Sequence, residues 1–424
     1  MASIKALLSR NQLVDTLIHL RGNARACVYT EPLWGVPVTL FMPLAAKYMQ
    51  ALGLSELQIG VVATTFLLSQ MVCALIGGAI TDKLGRRTAT ALFDLFAWFV
   101  PMVIWMFAQS FAWFMAAALF NGFFRVTENS WGLLMVEDTP DDKLVSIYSL
   151  VNVAGLISGF VAPLTSVFVR NFALVPTMRA LYLFAAVCML VKVIILYFMT
   201  TETALGAKRQ EELKGKSIFF AFRGSLAVLK AMFKKTPLML VLGIMSCVMV
   251  IRSATDNFWP LLITASLGIS EEALPLLSGL RSIAMLICFF VLAPRLRPQS
   301  FHKPMRFGLM IMAAIHFMLF LLPREAAWAV YVGVAAEALA LSILIPLFSS
   351  LQMILIDKAE KARMFGFSLA FCLFVTSPFG TINGLLSKWY LGLPMLLSAI
   401  LSLLALYFAS RLNRSLEHVR LDEA

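Results

Sequence analysis

The sequence predicts an all-α integral membrane protein, with twelve transmembrane helices in two six-helix pseudo-repeat bundles. Composition is the first reason. Of 424 residues, 60% are hydrophobic and 14% charged, with a mean hydropathy of +0.86, whereas soluble domains carry about 45–50% apolar and about 25% charged residues. A bilayer must therefore solvate most of these side chains. The second reason is segmentation: the apolar residues fall into twelve runs near the length of about 20 residues that spans a bilayer. The third is that marks in the first six runs recur in the last six.

Residues 1–22 mix Leu7, Leu8, Leu13 and Leu17 with Arg10, Asp15 and His19. This pattern predicts an amphipathic surface helix leading into the first span, with no cleavable signal peptide in view. The N-terminal bundle covers 23–199, with spans at 26–48, 57–80, 89–109, 112–135, 144–169 and 176–199. Residues 200–236 form a polar, basic linker in which Ser217 to Phe233 is patterned as an amphipathic helix. The second bundle covers 237–411, with spans at 237–263, 272–294, 304–323, 327–352, 364–387 and 391–411, and 412–424 is a cytoplasmic tail. The six cysteines all fall inside apolar runs without paired spacing, so they read as small hydrophobes with neither a disulfide framework nor a metal site.

The net charge of +12 is not a nucleic-acid footprint, because the basic residues sit in short loops between apolar runs. One side holds Lys83, Arg86, Arg87; Lys208, Arg209, Lys214, Lys216; Arg295, Arg297, Lys303, Arg306; and Lys358, Lys361, Arg363. The other holds Lys47, Arg170, Arg179, Arg324 and Lys388. By the positive-inside rule both termini are cytoplasmic, in a cell (plasma or inner) membrane.

Phe41-Met42-Pro43-Leu44 followed by Leu52-Gly53-Leu54-Ser55-Glu56 returns as Phe258-Trp259-Pro260-Leu261 followed by Leu267-Gly268-Ile269-Ser270-Glu271. Asp138 and Ser149-Leu150 return, in the same order, as Asp357 and Ser368-Leu369. Two echoes at nearly one offset indicate an internal duplication, the architecture of transporters with a site at the repeat interface.

The loop after span 2 reads Gly78-Ala79-Ile80-Thr81-Asp82-Lys83-Leu84-Gly85-Arg86-Arg87. Gly78 predicts close helix packing, Asp82 can pair with Arg86 and face a helix dipole, and Gly85 permits a tight turn. With this motif the chain resembles the major facilitator superfamily, and its six-plus-six topology and long middle loop extend the likeness over essentially its whole length. The resemblance implies a rocker-switch transporter, mostly monomeric, with this loop as a cytoplasmic latch favouring the outward-facing state. Gly78, Asp82, Gly85, Arg86 and Arg87 would then be gating residues, with Asp94 supporting the loop. The equivalent stretch Leu292 to Pro298 keeps its charges and lacks the Gly and Asp. Gly155, Gly159 and Pro163 in span 5 only loosely echo the family's antiporter motif.

Ionisable residues in mid-membrane are costly and normally face inward, paired and functional. Span 4 carries Arg125, Glu128 and Asn129 on one helical face. Span 7 carries Arg252 and Asp256 at i, i+4, then Asn257 and Trp259; span 8 has Arg281, span 10 Glu337, and span 1 Tyr29, Glu31 and Trp34. Arginine is permanently charged and suits carboxylate or phosphate. Arg125, Arg252, Arg281, Asn129, Asn257, Trp259, Tyr29 and Trp34 are therefore the expected substrate contacts. Glu31, Glu128, Asp256 and Glu337 are the expected proton-coupling acids, with Glu31 or Glu128 modulating Arg125. The competing interpretation is that Arg125–Glu128 and Arg252–Asp256 merely fix helix register; Arg281 has no acid within helical reach. Lys192 is expected to snorkel, and His316 to lie on a lipid-facing span.

No P-loop, zinc spacing, Gly-x-Ser-x-Gly or Gly-x-Gly-x-x-Gly ahead of a helix is present, so an enzyme or a primary ATP-driven pump in this chain alone is excluded and no cofactor is expected. The predicted activity is secondary transport of a small anionic or zwitterionic solute, with H+ as coupling ion and the lipid bilayer as surroundings. An exporter of drugs or lipid-like compounds and a non-transporting sensor or assembly partner are the alternatives.

Overall fold

The computed structural model describes residues 17–215, 225–292, 301–356 and 361–422. Among them every regular element is helical. Nine helices are long and apolar enough to cross a membrane: Glu56–Leu84, Arg86–Phe107, Val153–Phe172, Leu174–Met199, Thr236–Asn257, His302–Leu321, Ala329–Leu355, Met364–Trp389 and Leu393–Leu416. Three broken or shorter crossings complete the twelve. They are span 1 in segments from Gly22–Thr30 to Ala45–Ala51, span 4 as Phe111–Asn121 and Phe124–Val136, and span 8 as Ala273–Leu292. Most of the predicted 1–22 segment lies outside the described residues, as does 217–224 of the linker. The rest of the linker helix, Ser225–Lys234, buries Val228 and Met232 against Leu238, Leu242, Met364 and Cys372 of the second half.

The breaks have chemical causes. In both repeats the Phe-x-Pro-Leu element ends one helical segment and starts the next, at Met42–Leu44 and at Trp259–Ala265, with the proline in the first turn. A proline there lacks only an N–H that would be unpaired anyway. The glycines that follow, Gly53 and Gly268, both adopt positive φ (87° and 69°), a conformation without steric cost only for glycine. Ser55 then caps span 2 in a reciprocal capping box with Gln58. In span 3, Pro101 cannot bond the Ala97 carbonyl, and residues Leu95–Phe99 form a π-turn. That carbonyl instead accepts from Asn121 Nδ2 of span 4 at 2.7 Å.

An even number of spans puts both termini on one face, called here the terminal face; the opposite is the far face. One apolar core joins the halves at the far face, where Leu40, Tyr48, Phe114 and Tyr182 share a cluster with Phe258, Leu262, Leu277 and Val334. Towards the terminal face the cores separate. Leu134, Met135, Ile147 and Leu196 cluster within the first half, and Val248, Leu309, Leu344 and Leu412 within the second.

The far-face closure runs along two seams. Spans 2 and 11 touch backbone to backbone at Gly60, Gly380 and Gly384: a Cβ on Gly384 would meet the Glu56 carbonyl at 2.7 Å. Thr64 Oγ1 there donates to the Ser377 carbonyl at 2.7 Å. Spans 5 and 8 meet where a Cβ on Gly279 would strike Pro163 at 2.7 Å. Two ion pairs cross above, Lys47–Glu271 at 3.2 Å and Arg170–Glu272 at 2.9 Å.

Valine at position 384 cannot fit while this face is shut. In a cysteine-free background carrying Thr64→Cys, Gly384→Val is expected to raise maleimide labelling from the far side by roughly tenfold or more, the response to about 1.4 kcal/mol. Unchanged labelling would mean that the glycine seam does not hold the face closed.

Candidate functional site

Between the separated halves, several polar and charged side chains within the spans are exposed: Glu128, Asn129, Arg252 and Asp256, with Tyr29 nearer the terminal face. Hydrocarbon does not tolerate such groups, so they face a water-filled cavity that opens at the terminal face.

On the first-half wall, Arg125 donates from Nε to Gln70 Oε1 (2.7 Å) and from Nη1 to Glu128 Oε2 (2.6 Å), with the Phe124 ring 5.1 Å from its guanidinium carbon. Asn129 Nδ2 reaches Thr81 Oγ1 at 3.2 Å. The i, i+3 pairing expected in span 4 is therefore formed, and it leaves Glu128 about half exposed. Trp34 packs edge-on against Trp98, and its Nε1 is buried without a hydrogen-bond partner. Tyr29 OH donates to the Leu17 carbonyl, which places it nearer the terminal face.

The second-half wall differs from expectation. Asp256 does not pair within its own helix; it lies 4.0 Å from Arg281, and Arg252 is left exposed. Arg281 has no acid within reach on its own helix, and span 10 supplies one, Glu337, with Oε2 2.8 Å from Arg281 Nη2. Trp259 stands 5.7 Å from its guanidinium carbon, while Asn257 Nδ2 donates to its own helix at Ser253. The buried Glu337 extends the network: Thr255 Oγ1 lies 3.4 Å from its Oε1 and 3.5 Å from His316 Nε2. His316 Nδ1 sits 2.8 Å from the Met312 carbonyl, which can only accept, so Nδ1 carries a proton. His316 is thus buried inside the second bundle, while Phe307, Met310 and Phe317 of the same span are exposed.

Two further assignments change. Lys192 does not snorkel: it is buried and pairs with buried Asp94 at 3.3 Å. Glu31 is electrostatically coupled to Lys192 and Asp94 and makes no ion pair with Arg125.

At the terminal face the Asp82–Arg87 loop bonds to the ends of spans 4 and 6 and to the start of the linker. Arg86 bonds Asp82 (2.8 Å) and Glu137 (3.0 Å). Glu202, from the segment after span 6, accepts from the Arg86 and Arg87 backbone N–H groups at 2.8 and 3.0 Å, satisfying free donors at the start of span 3. Arg87 donates to the Tyr197 carbonyl and its guanidinium carbon lies 4.4 Å from the Tyr197 ring centre. Gly85 has φ +82°, and Glu202 and Gln210 crowd the space where a Cβ would be. Gly78, expected in close packing, has open space where a Cβ would be; the close approach belongs to Gly77, where a Cβ would lie 3.3 Å from the Val126 Cα. Glu202 and Thr255 carry much of this bonding and escaped the sequence reading, because their partners lie on other helices.

The sequence model of the Major Facilitator Superfamily matches residues 35–381. The chain belongs to the major facilitator superfamily. It is accordingly a multi-pass membrane transporter and not an enzyme. Its fold resembles that of a point mutant of the nucleoside transporter NupG (TM-score 0.74, 12% identity, covering 92% of this chain and 100% of that one). It also resembles a bacterial homologue of the human lysosomal transporter Spinster, in an inward-facing and occupied conformation (0.70, 12%, 92% and 96%), and a D-xylose–proton symporter (0.70, 13%, 91% and 96%). A search of curated protein sequences finds no match.

Removing Arg281 would strand Glu337 as an unpaired buried acid. Arg281→Ala is expected to lower stability by about 3 kcal/mol, and adding Glu337→Gln to restore most of it. Thermal unfolding of the purified protein in detergent, comparing single and double variants, checks this; equal losses in both would dissolve the pairing.

Proposed function

We propose that this chain is a secondary active transporter of a small anionic or zwitterionic solute, working by rocker-switch alternating access and driven by protons. The observation that carries this reading is an arginine on each wall of the cavity, Arg125 from the first half and Arg281 from the second. Each is only partly spent on its neighbours: Glu128 and Asp256 are exposed enough to exchange their arginine contacts for water, freeing guanidinium donors for a carboxylate or phosphate. The ring faces of Phe124 and Trp259 hold the guanidinium planes in place.

The excess of lysine and arginine in the terminal-face loops supports a cytoplasmic assignment for that face and for both termini, in a plasma or inner membrane. The closed far face then makes this an inward-open state. In the outward-open state the second half would close against the terminal face, and the exposed Gly78 and the part-exposed Asp82 would meet it. Gly78, Asp82, Gly85, Arg86 and Arg87 thereby act as a latch that Glu137 and Glu202 hold preassembled.

The test is a thermal-shift screen of the purified protein against organic acids, sugar phosphates, neutral sugars and lipophilic cations, because a ligand of the native state raises apparent stability. Stabilisation by an anion, abolished in Arg125→Ala and in the Arg281→Ala/Glu337→Gln pair, is expected. Stabilisation by lipophilic cations alone, indifferent to both variants, would replace the anion reading with an exporter of apolar cations.

A further inference from the structure

The cavity acids each sit beside an arginine, but one group of charges lies off the cavity walls. Asp94 of span 3 and Lys192 of span 6 are both nearly sealed from solvent, and their N–O distance is 3.3 Å. Apart from the Lys192 ammonium, neither carboxylate oxygen of Asp94 has a donor among the described residues. Glu31 of span 1 is buried with 8% of its surface exposed and is coupled electrostatically to both. Among the described residues it makes no ion pair of its own within 4.0 Å. Cys27, one turn earlier on span 1, also faces Lys192. Span 4 contributes the Trp131 ring, 5.9 Å from the ammonium, and span 5 carries no charge at this level.

The charge count is the argument. Two carboxylates meet one ammonium, so with every group ionised this pocket holds a buried net negative charge, which is costly wherever water is excluded. One added proton balances it. Asp94 is held by Lys192, whereas Glu31 has no ion-pair partner within 4.0 Å among the described residues and keeps a residual opening to solvent. We infer that Glu31, beside the Asp94–Lys192 pair, binds the coupling proton, at a site in the first bundle separate from the substrate-binding arginines. The proton adds to the Glu31 carboxylate to give a neutral carboxylic acid and is released to water when rocking of the halves opens Glu31 to solvent, which stabilises the carboxylate.

The location makes such a site conformationally sensitive. Glu31 lies at the junction of the Gly22–Thr30 and Pro32–Phe41 segments, and Asp94 directly precedes the π-turn at Leu95–Phe99. Both are joints where a helix can bend as the halves rock. The inference rests on the proposed proton-driven transport and names where its proton sits.

The experiment is an infrared pH titration of the full-length protein in lipid nanodiscs, following the carbonyl band of a protonated carboxyl near neutral pH, where solvent-exposed carboxylates are ionised. Wild type, Glu128→Gln and Glu337→Gln are expected to show the band, and Glu31→Gln to lose it. Asp94→Asn is the sharper variant. It keeps Glu31 but balances the charge count without a proton, so the band is expected to vanish there too. Persistence of the band in Glu31→Gln, its loss in Glu337→Gln, or its absence from wild type would each overturn the assignment. Anion-induced thermal stabilisation, measured on the same samples, separates the two readings. If it survives while the band fails, only the proton site falls; if the band obeys the charge count and no anion stabilises, only the substrate reading falls.

Discussion

A charge inside a bilayer needs a partner or water, and the helices of this protein are arranged around that requirement. Asp94 and Lys192 join span 3 to span 6, and Arg281 and Glu337 join span 8 to span 10. Separating either pair would leave an ion in a low-dielectric interior, at a cost of several kcal/mol. These pairs therefore act as ties within each bundle. The charges that are not sealed, among them Glu128, Arg252 and Asp256, are exposed between the bundles, where water can reach them. Buried pairs tie each bundle together and exposed charges line the gap between them, and Arg281 belongs to both.

The boundary between the halves is built from different material. Where spans 2 and 11 meet, glycines bring backbones into contact, with threonine hydroxyls bonding across. Such a seam gains dispersion and a few hydrogen bonds over a short length and can reopen without breaking a buried charge pair. Towards the terminal face, by contrast, each half completes its own apolar core. Two internally packed bodies with a separable seam are what rocking requires. The linker respects this division: Glu202, Thr203 and Gln210 bond to the first half, and Val228 and Met232 bury into the second.

Legibility from sequence followed distance along the chain. Arg125 and Glu128 could be paired on paper because residues three apart share a helical face, and they do pair. Arg252 and Asp256, four apart, share a face just as well, but among the described residues they form no ion pair within 4.0 Å, and Asp256 lies 4.0 Å from Arg281 of span 8. The Arg281–Glu337 bond spans 56 positions and left no periodic trace. Lys192 was misassigned because its position in the run allowed snorkelling, and only the packing of span 3 shows an acid waiting inside. Gly77 and Gly78 were indistinguishable in one dimension; the rotation of span 2 decides which one touches span 4.

Composition and periodicity by themselves determined the membrane environment and the apolar runs that become the crossings. Hydrophobic solvation and turn chemistry act over a few residues and are written locally. Which charge meets which, which face of the molecule is shut and which glycine lies in the seam were decided only in the folded chain. Those outcomes depend on the relative rotation and depth of helices far apart in sequence, which packing sets and no local pattern records.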